Sequence, residues 1–196
     1  MSITLRSGYV NSGADISLCG KYRYRLWREW RATHARKNWR WYGAKDGNGR
    51  EIGEPKACVF VMLNPSTADG KADDPTIRKC IGFAKRWNYE RLEVLNLFAY
   101  RATDPRALLA LTHDADPVGL RNSEVFANLH NDDYGMLVCA WGAHGSHLGQ
   151  DETVLGWLQE NRTYVLGLTK DGSPRHPLYV PYETVPFRWD GKQRRG

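Results

Sequence analysis

The 196-residue sequence has few cysteines and no long apolar run, and both shortages restrict what the protein can be. Its four cysteines are scattered and include no C-x-x-C pair, which gives no support to a zinc or iron–sulfur site. No apolar stretch approaches the length of a transmembrane helix, and residues 1–20 lack the apolar core of a signal peptide. We therefore expect a cytosolic protein with free thiols, no metal or cofactor, and no contact with a membrane.

The composition is typical of one globular domain, with 41% hydrophobic and 26% charged residues. We expect a loose leader over residues 1–20 and a single α/β domain over residues 21–196, which begins with a basic, aromatic segment and ends in an irregular tail. The net charge of +6 is concentrated in residues 21–40 and 192–195. A basic surface favours a polyanionic partner, although modest basicity is also common in proteins that bind no nucleic acid.

Short apolar runs alternate with helical segments along the chain. Residues 57–63 are continuously apolar, which is typical of a strand covered on both faces, and similar runs occupy residues 92–97, 136–141 and 164–168. The alternation of aromatic and basic residues over 22–27 predicts one more, half-buried strand. An Asp-Pro pair precedes each of two helices, at Asp74 and Asp104, where the aspartate can cap and the proline fits the first turn. Further helical segments cover residues 117–129 and 152–160.

This order predicts a three-layer α/β/α domain with a central, mainly parallel four-stranded sheet. Ligands of such sheets bind beyond the carboxyl ends of the strands, and three polar residues stand there: Asn64, Asn96 and His176. The two amides could hold a water or the edge of a heterocycle, and the imidazole could donate a hydrogen bond to a leaving group. The competing interpretation is structural, with two amides that satisfy loop backbone and a histidine in a surface turn.

Other residues of the same loops could complete a site. Phe98 and Tyr100 offer stacking surfaces, and Pro65 and Ser66 lie beside Asn64 as candidate base contacts. The remaining candidates are charged: the possible acid–base helpers Asp69, Asp73 and Asp74, and the possible phosphate contacts Arg78, Arg101, Lys170 and Arg175. His144 and His147 lie three apart in a glycine-rich loop, but no third metal ligand is indicated and we favour a mobile loop.

Several segments together resemble a family of bacteria and phages that is known only as a domain of unknown function. The strings MLNPSTAD, DDPTIRKC, NLFAYRATDP and LTKDGSPRHPLY carry this resemblance, which runs from about residue 22 to residue 181. The resemblance brings no established activity with it.

The order of three short motifs also resembles the uracil-DNA glycosylases. In those proteins the first core strand ends in Asp-Pro or Asn-Pro, an asparagine in an apolar strand reads the base, and a His-Pro-Ser loop follows the last strand. Asn64-Pro65, Asn96 and His176-Pro177 occupy the corresponding positions here. The sequence departs from the pattern at Leu178, which replaces the serine, and no glycine precedes Asn64.

This second resemblance implies a uracil-DNA glycosylase-like fold and a DNA glycosylase-like hydrolase that cleaves the N-glycosidic bond of uracil or a modified base flipped from DNA. Asn64 would then position the water, Asn96 would read the base and His176 would hydrogen-bond the departing base. Two alternatives stay open: an enzyme that acts on a free nucleotide or nucleoside, and a nucleic-acid-binding module without activity. The expected partner is therefore DNA or a nucleotide, and nothing indicates a protein partner.

Overall fold

A computed structural model describes residues 9, 11–30, 57–129, 134–158 and 162–191 of the chain. Within these ranges seven strands form one sheet: β1 (Asn11–Ile16), β2 (Arg23–Glu29), β3 (Ala57–Met62), β4 (Arg91–Asn96), β5 (Tyr134–Cys139), β6 (Thr163–Val165) and β7 (Phe187–Arg188). The α-helices in the same ranges are α1 (Pro75–Arg86), α2 (Pro105–Leu109), α3 (Asn122–Ala127) and α4 (Gln150–Trp157). The basic residues of segment 31–40 and the basic tail at 192–195 lie outside the described residues.

The sheet is mixed, with the strand order β1-β2-β4-β3-β5-β6-β7. Its centre consists of β4, β3, β5 and β6, which are mutually parallel and correspond to the four apolar runs of the sequence. Antiparallel strands extend this centre on both sides, with β2 and β1 next to β4 and with β7 next to β6. The four predicted parallel strands are therefore present, but the prediction of a four-stranded sheet is wrong.

Two segments that were predicted to be irregular contain strands. β1 pairs with β2, so the prediction of a loose leader over residues 1–20 is wrong for Asn11–Ile16. A Cβ atom on Gly13 would lie 2.2 Å from the Trp27 ring, so glycine lets the aromatic side chain of β2 cover this edge strand. In the predicted irregular tail, β7 pairs with β6 and Trp189 is buried. Both edge strands lack a clear alternation of apolar and polar residues, which is why periodicity did not reveal them.

Apolar side chains cover both faces of the central strands. In β3, Cys58, Phe60 and Met62 point to the face that α1 covers, and Val59 and Val61 point to the face that α2, α3 and α4 cover. The chain leaves β3 towards α1 on one face and leaves β5 towards α4 on the other. Neighbouring strands whose connections diverge in this way leave a crevice at their carboxyl ends, which is the usual ligand position in such sheets.

Helix α1 begins as predicted. The Asp74 side chain accepts a hydrogen bond from the backbone N–H of Ile77 at 2.8 Å, and Pro75 occupies the first turn. The helix predicted over residues 117–129 is shorter, because Gly119 has a φ of +84° and the helix begins only at Asn122. None of the helices in the described part of the chain combines the length and apolarity needed to cross a membrane.

Candidate functional site

Asn96 is the last residue of β4 and lies on the sheet face that α1 covers. It pairs with Met62 of β3, and Leu92 and Val94, which alternate with it along β4, pack in the core cluster under α1. Only 1% of Asn96 is exposed, and neither its Nδ2 nor its Oδ1 has a hydrogen-bond partner within the described residues. A buried carboxamide in this state costs stability, since nothing replaces the water it has lost. Within the described residues, loop backbone does not satisfy this amide, so the competing, structural interpretation of Asn96 is wrong there.

His176 lies at the same edge and against the same helix. It caps a short 3₁₀ helix, Pro177–Tyr179, which packs against α1. Gly142, just after β5, lies beside it, since a Cβ on that glycine would be 3.6 Å from the Cβ of His176. The Leu178 N–H donates to the imidazole Nδ1 at 3.4 Å. A neutral imidazole that accepts at Nδ1 carries its proton on Nε2.

Burial holds His176 in this neutral form. It lowers the pKa of the imidazole below the ordinary value of 6.5, and the nearby Asp74 carboxylate, which raises the pKa, offsets this only in part. Asp74 therefore lies within electrostatic reach of the imidazole and at the N-terminus of α1. The result is a half-buried hydrogen-bond donor without charge at neutral pH.

Asn64 connects the two loops that follow β3 and β4. Its Nδ2 donates to the carbonyl of Ala102 at 2.8 Å and to the carbonyl of Pro65 at 3.1 Å. Both amide protons are thus engaged with backbone, as the structural interpretation of this residue requires. An amide held in this way can offer only its Oδ1 to a water or ligand.

Arg23 is a member of the site that the sequence analysis missed. The residue is 2% exposed, its Nη1 donates to the carbonyl of Ala68 at 2.7 Å, and its buried Nε has no partner in the described part of the chain. Burial lowers the pKa of its guanidinium to about 10, and Asp74 acts in the opposite direction. Arg23 and His176 therefore share Asp74 as a neighbouring carboxylate.

Arg28, from the same strand, fixes the loop that leads into α1. It is fully buried, and each of its five N–H groups is engaged. The Nε donates to the Asp73 carboxylate at 2.7 Å. The other four N–H groups meet backbone carbonyls, those of Gly13, Trp27, Asp69 and Ala72. Arg28 is two residues after the core residue Leu26 and therefore points to the same face of β2, which is the signal in the sequence that could have revealed its burial.

The three candidate acid–base helpers have different surroundings. Asp69 accepts hydrogen bonds from the backbone N–H groups of Lys71 and Ala72, which lower the pKa of its carboxyl group and make it a weak base. Asp73 is occupied by Arg28 and by the hydroxyl group of Tyr9. Of the three carboxylates, Asp74 is the one whose charge raises the pKa of His176.

The other candidates divide into a cleft and a dispersed group. Ser66, Tyr100 and Arg101 line one cleft of about 220 Å³ at the carboxyl edge. Phe98 is fully buried and packs on His147, with 5.6 Å between ring centroids, so the structure gives it no free stacking face. The cleft is also not lined by Pro65, which is buried, or by the exposed cations Arg78, Lys170 and Arg175.

The histidine loop after β5 shows no sign of a metal centre. His144 is exposed, and one ring nitrogen of His147 lies 3.1 Å from the carbonyl oxygen of Leu111. Across the residues that could be described, no three His, Cys, Asp or Glu side chains gather as metal ligands would.

Comparison with known proteins identifies the family but no activity. Residues 23–178 match the family described as "Protein of unknown function (DUF1643)". The chain belongs to the DUF1643 family. No curated protein and no solved structure gives a significant match. The match extends from β2 to the 3₁₀ helix after His176, so the residues that form the candidate site all lie within the DUF1643 region.

The arrangement in this DUF1643 member restricts the chemistry it can perform. The α1 face of the carboxyl edge carries a buried carboxamide (Asn96), a neutral imidazole (His176) and a buried guanidinium (Arg23). Burial raises the pKa values of the Cys58, Cys80 and Cys139 thiols, so these cysteines are not nucleophiles. An uncharged imidazole donor and a buried guanidinium can each stabilise negative charge that develops close to them.

Proposed function

We propose that the protein is an N-glycosidic-bond hydrolase of the DNA glycosylase type that acts on uracil or a modified base extruded from DNA. The observation that carries this proposal is the carboxamide of Asn96, which is 1% exposed and, among the described residues, has a partner for neither polar atom. A buried donor and acceptor side by side match the adjacent acceptor and donor on the edge of a pyrimidine. Binding such a base would satisfy both atoms at once.

His176 supplies the second part of the proposal. Cleavage of the bond leaves the bonding electron pair on the base, so negative charge develops on the ring oxygens and nitrogens as the transition state forms. A neutral Nε2–H donor directed at this charge stabilises the transition state more than the ground state. The low pKa of the imidazole supports this role, because a donor that is already uncharged does not protonate the base prematurely.

Asn64 completes the reaction by holding the water. The C1′–N bond breaks, the water oxygen bonds to C1′, and the proton that the water releases goes to the departing base. With both amide protons bound to backbone carbonyls, the Oδ1 of Asn64 is the atom that can orient a water. An amide is no general base, so we expect modest turnover, with Asp74 acting through its charge near His176.

The resemblance to uracil-DNA glycosylases supports the proposal at the level of motif order. Asn64-Pro65, Asn96 and His176-Pro177 all follow or end central parallel strands. We propose that the four parallel strands and the helices on their two faces form a glycosylase-like three-layer core, to which β1, β2 and β7 are added at the edges.

The experiment is a base-excision assay on DNA duplexes that carry uracil, mismatched thymine or hypermodified pyrimidines. We expect alkali-labile abasic sites with one of them, and a loss of roughly 10²–10³-fold in rate for His176→Phe, which keeps a ring and removes the donor aimed at the base. His113→Phe is the matched control, because His113 is exposed in the connection between α2 and α3. Equal rates for both variants would remove His176 from the mechanism.

The other two functions make different predictions in the same assay. Absence of abasic sites from every duplex, together with protection from thermal unfolding by free nucleotides alone, would indicate an enzyme of nucleotides or nucleosides. DNA binding without any product would indicate a binding module. Either result would contradict the proposed function.

A further inference from the structure

The polar cleft of about 220 Å³ lies at the carboxyl edge beyond the ends of β3 and β4. Its walls are three short segments: the turn between β1 and β2 (Gly20 and Lys21), the loop after β3 (Ser66 and Thr67) and the loop after β4 (residues 100–103). Asn64 joins it to the candidate site, since the Asn64 amide donates to Ala102 in the wall. The cleft itself contains neither Asn96 nor His176.

Hydrogen bonds hold the three walls together before any ligand binds. The backbone N–H of Arg101 donates to the carbonyl of Lys21 at 2.9 Å, and its Nη1 donates to the carbonyl of Gly20 at 3.2 Å. The N–H of Ala102 donates to the carbonyl of Pro65 at 2.9 Å. A preformed cleft loses little conformational entropy on binding.

The lining chemistry is that of a phosphate site with a ring beside it. Lys21 and Arg101 provide positive charge, the hydroxyl groups of Ser66, Thr67 and Thr103 provide donors, and the residues lining the cleft include no acid. The Arg101 Nε is buried and has no partner among the residues described. The Tyr100 ring is held edge-on against Tyr22, with 5.9 Å between centroids, which leaves it positioned as a platform for a base.

The size of the cleft indicates part of a larger ligand. Its 220 Å³ is below the roughly 300–1,000 Å³ typical of sites that enclose a complete small molecule. A single nucleotide unit that continues on both sides as a strand fits an open cleft of this size better than a free cofactor does.

We propose that this cleft binds one nucleotide unit of a single-stranded segment, with the phosphate at Lys21 and Arg101 and the base against Tyr100. That this unit flanks the extruded base rests on the proposed function, whereas binding of the strand itself does not. The same chemistry could come from a free nucleotide, and the experiment separates the two sources.

The test measures binding of a short labelled single-stranded DNA by fluorescence anisotropy over a range of salt concentrations. We expect Lys21→Gln and Arg101→Gln each to weaken binding roughly tenfold, because each removes a charged hydrogen bond. Each should also reduce the slope of log affinity against log salt by about 0.7, the value for one phosphate contact on a single strand. Lys71→Gln is the matched control: it makes the same charge change on an exposed lysine outside the cleft and should leave affinity within about twofold.

Tyr100 tests the base platform separately from charge. Tyr100→Ala should weaken binding at least about fivefold, and Tyr100→Phe should restore it, because phenylalanine keeps the stacking face. A thermal melt of each variant shows whether it folds. If Tyr100→Ala does not fold, Lys21→Gln and Arg101→Gln still test the cleft.

The outcomes distinguish this inference from the proposed function. Unchanged strand affinity in Lys21→Gln, Arg101→Gln and Tyr100→Ala would overturn the cleft assignment, even if His176→Phe abolished base excision. Weakened strand binding in those variants would support it, even if no base were excised. Protection by free nucleotide monophosphates with no competition from the strand would overturn the strand as the ligand.

Discussion

Removal of the charge of Asp73 tests how the loop before α1 is held in place. In Asp73→Asn, the new Oδ1 can still accept from the Arg28 Nε and the new amide can donate to the Tyr9 oxygen. The change therefore removes charge and keeps the geometry. Arg28 is fully buried, and the side chain of Asp73 is 14% exposed. Leaving a buried charge without its partner costs roughly 3–5 kcal/mol.

We expect the lower end of that range, about 3 kcal/mol, because the four backbone carbonyls that bind Arg28 stay in place. For a chain of this length that corresponds to a fall of roughly 6–12 °C in Tm, measured by circular dichroism or calorimetry. Glu183→Gln is the matched control, because Glu183 pairs with Arg86 at 2.8 Å with side chains 75% and 50% exposed. Solvent screens such an exposed pair, so its loss should change the melting temperature little.

Comparison of the two variants gives a clear result. If Asp73→Asn melts no lower than Glu183→Gln, the buried ion pair does not hold the loop and the reasoning is wrong. High salt provides a second check, since screening should weaken the exposed pair and leave the buried pair nearly unchanged.

Three further predictions follow from burial. Asn96→Leu should abolish base excision and leave Tm unchanged or higher, because an apolar side chain of similar shape replaces a buried amide that has no partner among the described residues. A clear fall in Tm would show that the amide is satisfied. An NMR titration should give His176 a pKa below 6.5. Because the folded pKa lies below the unfolded one, the free energy of unfolding should fall as the pH drops below 6.5. A pKa at or above 6.5 would contradict both statements. A thiol reagent should modify Cys19 quickly, since Cys19 is exposed and a hydrogen bond with Ser17 lowers its pKa, whereas the other three cysteines, which are buried, should react only after unfolding. Rapid modification of all four in the native protein would refute this.

The functional residues predicted from the sequence have had mixed outcomes. Asn96, Asn64 and His176 do lie at the carboxyl ends of parallel strands, as the β–α alternation required. Their roles in catalysis stay predictions. Phe98 was expected as a stacking surface but is a core residue, because both it and Leu97 pack in the cluster opposite α1 once β4 has ended. Alternation cannot be extrapolated past the end of a strand.

Local signals in the sequence determined the central strands and the start of α1. Continuous apolar runs require burial on both faces, and Asp74-Pro75 places a capping oxygen and a preset φ next to each other, so neighbouring residues alone carry that information. Only the tertiary structure decided that Arg23 and Arg28 are buried, that Asn96 has no partner in the described residues, and that the turn at Lys21 closes a cleft. These features depend on which distant segments pair and in which register, and the energy of a buried polar group is set by neighbours that the local sequence does not contain.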